Sequence, residues 1–322
     1  MQEEHDEHDQ HQEHHRPLRL PGRLQDPRKH LSPVTGLSVG GCTIAVTDAE
    51  RSGACVVGRL YRPFVHVGGD PTLELSVAPL ERGIPTDGVV AFDSNLGWHV
   101  VETPRGWSFI GLLAKRPCHA LAVDRDWRAG TVFLPARLRA GAGRPFPVAY
   151  PWEMLLFTSL LAHAHGVIVH AAAVVVDGEG WVFAGPHGAG KSTLARLFKT
   201  RPGVTVLNDD RVVVREVHGR WRVFGTPWAG SARLNADATA SIRGICLIRH
   251  GRATTPTRLP PAQAAARLLA RCLHPYWDRA AAAALLATIA RIASDVPCYD
   301  FPFVPSFRSV VRGIHAAEHI AV

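Results

Sequence analysis

Residues 185–198, GPHGAGKSTLARLF, fit the pattern G-x-x-x-x-G-K-[ST] and constrain the fold more than any other stretch of the chain. Such a loop needs a strand before it and a helix after it. Its glycines then let successive backbone N–H groups converge on one anion, and the helix adds its positive end. The flanks supply both. GWVFAG, before the loop, reads as a strand, and STLARLFKT, after it, reads as a helix. In this pattern Gly185, Gly188, Ala189, Gly190, Lys191, Ser192 and Thr193 form the nucleotide-binding segment. Lys191 is expected to reach the β- and γ-phosphates of ATP, and the Ser192 hydroxyl to ligate Mg²⁺.

The rest of the chain divides by composition. The first 15 residues, MQEEHDEHDQHQEHH, hold six carboxylates, five histidines and no lysine or arginine. Residues 1–32 therefore read as an acidic, His-rich disordered tail that cannot bury enough apolar surface to fold. Short apolar runs broken by Gly, Pro and Asp follow, among them CTIAVTD, CVVGRLY, LELSVAP, GVVAFD, GWHVVET, HALAVD and GTVFLP. They predict a β-rich N-terminal domain over residues 33–148. Residues 149–322 alternate strand and helix patterns and predict an α/β domain. Its helices are PWEMLLFTSLLAHAH, STLARLFKT, PPAQAAARLLARCL, DRAAAAALLATIARIAS and PSFRSVVRGIHAAEH. GVIVHAAAVVV and GWVFAG are expected to form a hairpin leading into the glycine loop.

A second acidic element is LNDDRVVV. Asp209 and Asp210 stand 18 residues beyond Lys191, at the end of an apolar run. If strand, loop, helix and strand form one βαβ unit, the two acids end beside the phosphate loop. A metal-binding acid and a proton acceptor are needed there. The other reading is a solvated turn between two strands, where Asp is common.

These segments resemble the HPr kinase/phosphorylase family, whose nucleotide-binding fold is shared with phosphoenolpyruvate carboxykinases. The likeness covers about residues 166–250: HGVIVHAAAVVVDGEGWVFAGPHGAGKST, LNDDRV and FGTPWAG. It looks closest to the HPr-kinase-like proteins of modified-peptide gene clusters, including lasso-peptide kinases. The resemblance implies a P-loop nucleotide-binding domain of HPr kinase/phosphoenolpyruvate carboxykinase type, preceded here by the β-rich domain. It implies that Asp209 is the general base on a serine hydroxyl, that Asp210 and Ser192 hold Mg²⁺, and that His170 is catalytic with Lys191. Without the resemblance, His170 reads as a satisfied histidine within a strand. One departure is plain. The family's bacterial regulators carry a Glu in an E-I-R-G segment, whereas SIRGICLI has Ser241 there.

Composition narrows the partners. With the tail's six acids set aside, 22 of the 28 carboxylates face 36 bases, so the remainder carries about +14 and favours anionic partners. No arginine-rich helix interleaved with aromatics appears, which argues against nucleic acid. Six cysteines without a C-x-x-C pair fit reduced thiols in a cytoplasm, and no apolar run approaches a membrane span. The chain is expected to be a kinase moving the γ-phosphoryl of ATP to a hydroxyl of a peptide, protein or small molecule. The alternative is a nucleotide-binding regulatory module without phosphoryl transfer. A homo-oligomer is compatible with the sequence.

Overall fold

A computed structural model describes residues 36–47, 57–66, 69–139, 146–148 and 150–320. The acidic tail expected over residues 1–32 lies outside the described residues. The described chain is a mixed α/β structure built on two large sheets.

The first sheet contains β1 (Gly36–Val39), β2 (Cys42–Thr47), β3 (Val65–His66), β4 (Leu73–Pro79), β5 (Val89–Asp93), β6 (Trp98–Thr103), β7 (Gly106–Leu113), β8 (Arg116–Asp124) and β9 (Ala129–Leu134). Their order is β3-β1-β2-β4-β9-β8-β7-β6-β5. The pairs β2/β4 and β4/β9 are parallel, and the others are antiparallel. Six of the seven runs expected to be strands are strands. The exception is CVVGRLY, whose described part, Val57–Tyr61, is coil and turn. A short helix, α1 (Ala136–Arg139), precedes α2 (Trp152–His163).

α2 is apolar around its whole circumference, and every residue from Glu153 to Ala162 is buried. A helix of that kind must lie inside a core rather than on one. Met154, Leu156, Phe157 and Leu160 pack with Leu37, Ile44, Leu75, Phe109 and Val132 of the first sheet. The same core takes in Ile168, Val213, Trp228 and Trp277. It therefore runs unbroken across residues 148 and 149.

The second sheet holds β10 (Gly166–Val169), β11 (Ala171–Val176), β12 (Glu179–Ala184), β13 (Val204–Asn208), β14 (Val212–Val217), β15 (Arg220–Phe224), β16 (Thr239–His250), β17 (Thr257–Arg258) and β18 (Cys298–Phe303). The main path is β10-β14-β15-β16-β12-β11-β13, with β18 parallel to β16 and β17 antiparallel to β18. Side chains alternate between two layers with the period of two that a buried strand dictates. Trp181 and Phe183 of β12 face α3 (Lys191–Phe198) and α6 (Phe307–Glu318), through Leu194, Phe198, Val310 and Ile314. Val182 and Ala184 face α4 (Pro261–Leu269) and α5 (Arg279–Asp295), through Leu268, Leu285 and Ile289.

Two features of this sheet were not expected. β12 and β13 are both antiparallel to β11, which lies between them, so α3 carries the chain across an intervening strand. GVIVHAAAVVV is not one strand either: it breaks at His170 into β10 and β11. β10 pairs with β14, whereas β11 pairs with β12 and β13, five strands along the path. A flat sheet would set them about 24 Å apart at the usual interstrand spacing. One residue cannot span that distance, so the sheet curls until β10, at one end, meets β11, next to the other end, at His170.

Candidate functional site

The curl brings three segments to one edge of the second sheet. Ala184, the last residue of β12, pairs with Ala171, which follows His170. Asn208, the last residue of β13, pairs with Ala173 two residues further on. The glycine loop, His170 and the two acids therefore leave the sheet side by side, as a βαβ reading requires. The edge is reached by a crossover over β11 rather than by adjacent strands.

The glycine loop is shaped by its surroundings. Gly190, the residue before α3, has φ 102°, a backbone state that side chains rarely tolerate, and a Cβ there would stand 2.5 Å from the Phe303 ring. At Gly185 a Cβ would stand 2.7 Å from Ile248. Ala189 is buried in the α3 layer, whereas Gly188 and Thr193 are exposed and Ser192, in the first turn of α3, is half-buried.

Lys191 opens α3 and is 6 % exposed, so it is not the solvent-facing lysine its place in a loop suggests. Its Nζ donates to the carbonyls of Gly185 (2.9 Å) and Pro186 (2.8 Å), which holds the ammonium against the loop. Burial lowers its pKa; Asp210 opposes this, while Arg271 and Arg211 reinforce it. Arg271 also closes the site from behind, since its carbonyl accepts the His170 N–H at 2.7 Å. Neither arginine stood out in the sequence. Arg211 adjoins the acid pair, but Arg271 lies 80 residues beyond Lys191 and no local pattern marks it.

The two acids part company. Asp209 has no exposed surface, and its carboxylate accepts N–H bonds from Gly230 (2.8 Å), Ala232 (2.9 Å) and Leu234 (3.3 Å). Both oxygens are thereby turned into the Thr226–Asn235 loop. The general-base role expected for Asp209 meets a carboxylate that has no accessible edge. Asp210 points the other way. It pairs with Arg211, and its Oδ1 lies 3.4 Å from His170 Nδ1. Asn208 makes this divergence, because its Oδ1 accepts the N–H groups of Asp210 (2.8 Å) and Arg211 (3.0 Å) in a tight turn. The Asn208 amide is itself fixed on the Thr226 carbonyl at 2.8 Å.

His170 Nδ1 also lies 3.1 Å from the Asp210 carbonyl. Burial lowers its pKa, Lys191 and Arg211 add to that, and Asp210 opposes them. The lowered pKa favours the uncharged ring at neutral pH. With Nδ1 donating to the carbonyl, Nε2 keeps a free lone pair. Among the described residues, Asp210 is the carboxylate that acts on both Lys191 and His170, while Arg211 and Arg271 add positive charge around Lys191, a balance suited to a polyanion.

Ser241 stands elsewhere. It pairs with Glu179 at the start of β12, whereas the glycine loop follows Ala184 at the other end. Five residues of strand put Ser241 about 17 Å from the loop. Its lack of a carboxylate therefore takes nothing from this edge of the sheet.

Among known proteins, a family model described as the SynChlorMet cassette protein ScmC matches residues 150–303. That span begins just before α2 and ends with β18, so it contains the site and omits the first sheet. No curated protein matches the chain. Among solved structures, the Hpr(Ser) kinase/phosphatase from Coxiella burnetii is similar over 47% of this chain and 95% of that chain, with 12% identity and a TM-score of 0.29. No helix of the described residues is long and apolar enough to cross a membrane.

Proposed function

We propose that this protein is an ATP-dependent kinase that transfers the γ-phosphoryl group to a hydroxyl of a peptide, protein or small molecule. The observation that carries this reading is the buried Lys191 at the head of α3, faced by the Asp210–His170 pair. The loop of residues 185–190, with the N–H groups of the first turn of α3, binds the nucleotide phosphates. Lys191 turns from the loop carbonyls onto the β- and γ-phosphates, and Arg271 and Arg211 add positive charge around the transferring group.

Asp210, in place of the role expected for Asp209, accepts or orients the acceptor's proton. The acceptor oxygen forms its bond to the γ-phosphorus as the bond to the β-phosphate oxygen breaks, the hydroxyl proton passes to Asp210, and ADP leaves. Neutral His170 holds Asp210 in place and offers Nε2 toward the phosphates. Asp209 builds the wall of the site.

Mg²⁺ fits this donor set. No group of three or more His, Cys, Asp or Glu side chains among the described residues could hold a metal unaided. The chain offers Ser192 and Asp210, and Mg²⁺ is commonly held by one or two protein oxygens together with phosphates and water. When bound there, it would neutralise charge on the phosphates. The single carboxylate would then have to serve both the metal and the acceptor.

One observation favours the second reading, a nucleotide-binding regulatory module: Arg211 already engages the Asp210 carboxylate. Incubation of the protein with labelled ATP, Mg²⁺ and a panel of serine-containing peptides and small alcohols separates the two. Label on an acceptor, lost in Lys191→Ala, supports the kinase. Saturable ATP binding with no labelled acceptor supports the module, and no ATP binding refutes both.

A further inference from the structure

Glu153 sits on α2 in the core shared by the two sheets, with no exposed surface. Its Oε1 accepts the Tyr61 hydroxyl at 2.6 Å and the Trp228 indole N–H at 3.1 Å, and Oε2 is buried with no hydrogen-bond partner among the described residues. A carboxyl in such a place is costly, and an apolar side chain of similar volume would usually serve stability better. What it holds together is therefore informative.

Tyr61 belongs to the turn before β3. Trp228 belongs to the loop whose N–H groups at Gly230, Ala232 and Leu234 grip Asp209. The Trp228 ring lies edge-on to Phe157 of α2, with centroids 5.9 Å apart. A second tie parallels the first, because the Asn235 side-chain amide donates to the Leu60 carbonyl at 2.7 Å. The wall from Trp228 to Asn235 is thus fastened at both ends to Leu60–Tyr61. It also touches the site directly, since a Cβ at Gly230 would stand 2.8 Å from the Asp210 Cβ.

We propose that Glu153 is a positioning residue, which ties the Trp228–Asn235 wall to Tyr61 and through that wall fixes where Asp210 stands. This rests on the reading above that Asp210 faces the reacting groups. The first sheet then acts on the site at a distance, through two side-chain tethers.

Glu153→Leu and Glu153→Gln separate this role from plain core stability. Leu removes the acceptor shared by Tyr61 and Trp228 along with the orphaned buried oxygen, and leaves the Asn235–Leu60 tie in place; Gln keeps an acceptor for Tyr61 and Trp228. In Glu153→Leu, hydrogen exchange at the amides of Gly230, Ala232 and Leu234 should speed up about tenfold, the factor that loss of one ordinary hydrogen bond represents. Tm should fall by no more than a few degrees, since losing the buried carboxyl offsets part of the cost of two donors left unpaired. The Kd for MgATP should stay within about twofold, while transfer to acceptor falls about tenfold or more if wall and Asp210 move together. Glu153→Gln should track the wild type, and Trp228→Phe should reproduce the faster exchange should the Leu variant not fold. Unchanged exchange at the three amides, faster exchange only in step with a larger fall in Tm, or faster exchange with undiminished transfer would each overturn the proposal. Exchange is read without nucleotide or acceptor. A wild-type protein that transfers nothing would therefore end the kinase reading, while the exchange data still decide whether the tether exists.

Discussion

Asp209 and Asp210 are neighbours in sequence and opposites in environment, so the same substitution at each should give opposite results. Asp209 carries three backbone N–H bonds and has no exposed surface. Asn at this position leaves one oxygen and points an NH₂ group at one or more of those donors. The change removes the Ala232 bond outright if the nitrogen takes the Oδ2 place, and strips the charge from the other two. Hydrogen bonds to an ionised group contribute about 1.5–3 kcal/mol each, so Asp209→Asn should cost roughly 2–4 kcal/mol. At about 2–4 °C per kcal/mol for a body of this size, Tm should fall by roughly 4–16 °C. Asp210 is partly exposed, and its partners, Arg211 and His170, are also in reach of solvent. Asp210→Asn should therefore cost no more than about 1 kcal/mol. It should instead cut phosphoryl transfer by on the order of 10²–10⁴ while ATP still binds, the scale of a lost proton acceptor. Calorimetry and a transfer assay on both variants decide the matter. An Asp209→Asn protein with wild-type Tm and abolished transfer would refute the assignment and return the acceptor's proton to Asp209.

Further outcomes follow from the same contacts. Lys191→Ala should abolish ATP binding in a fluorescence or calorimetric titration while circular dichroism shows the fold retained; near-normal binding would remove the loop from the site. Gly190→Ala should weaken ATP binding and lower Tm by several degrees, because φ 102° and the Phe303 ring 2.5 Å from the new Cβ both oppose it. Burial pushes Glu153 up from 4.5 to about 7, so the folded state holds its proton more tightly than the unfolded chain does. That contribution is full below pH 4.5 and is lost as pH rises through about 7, a wild-type decline of roughly 3 kcal/mol at 1.36 kcal/mol per pKa unit. Glu153→Gln should flatten that decline in unfolding curves from pH 4.5 to 8, and parallel curves would mean that Glu153 is ionised throughout.

Much of the architecture can be read from the residues alone. The strand–glycine loop–helix sequence at 179–198 has a strict spacing, and the Ala/Leu runs that form α4 and α5 have an unmistakable helical period. β7 (GWSFIGLL) and β15 (RWRVF) did not stand out, although Pro104 and Gly106 set off the first and Gly219 and Gly225 the second. The break at His170 left no mark, since the chain there stays apolar on both sides and only the pairing partners change. The divergence of the acid pair was equally hidden. It depends on Asn208 making a tight turn and on N–H groups 21 to 25 residues downstream. No reading of LNDDRV by itself tells which carboxylate those groups will take. Arg271 stayed unseen for the same reason, as proximity to Lys191 arises only after the sheet has curled.

The unbroken core around α2 bears on what can be cut from this protein. A protein whose catalytic half had its own closed core could be excised, fused to another partner, or exchanged between genes as a unit. Here a chain beginning at residue 149 would carry α2 stripped of Leu37, Ile44, Phe109 and Val132, leaving a broad apolar face open to water. Such a fragment would be prone to aggregate when expressed alone, whatever chemistry its glycine loop retained. The first sheet and the site would then have to be inherited together, with any drift in one answered by repacking in the other.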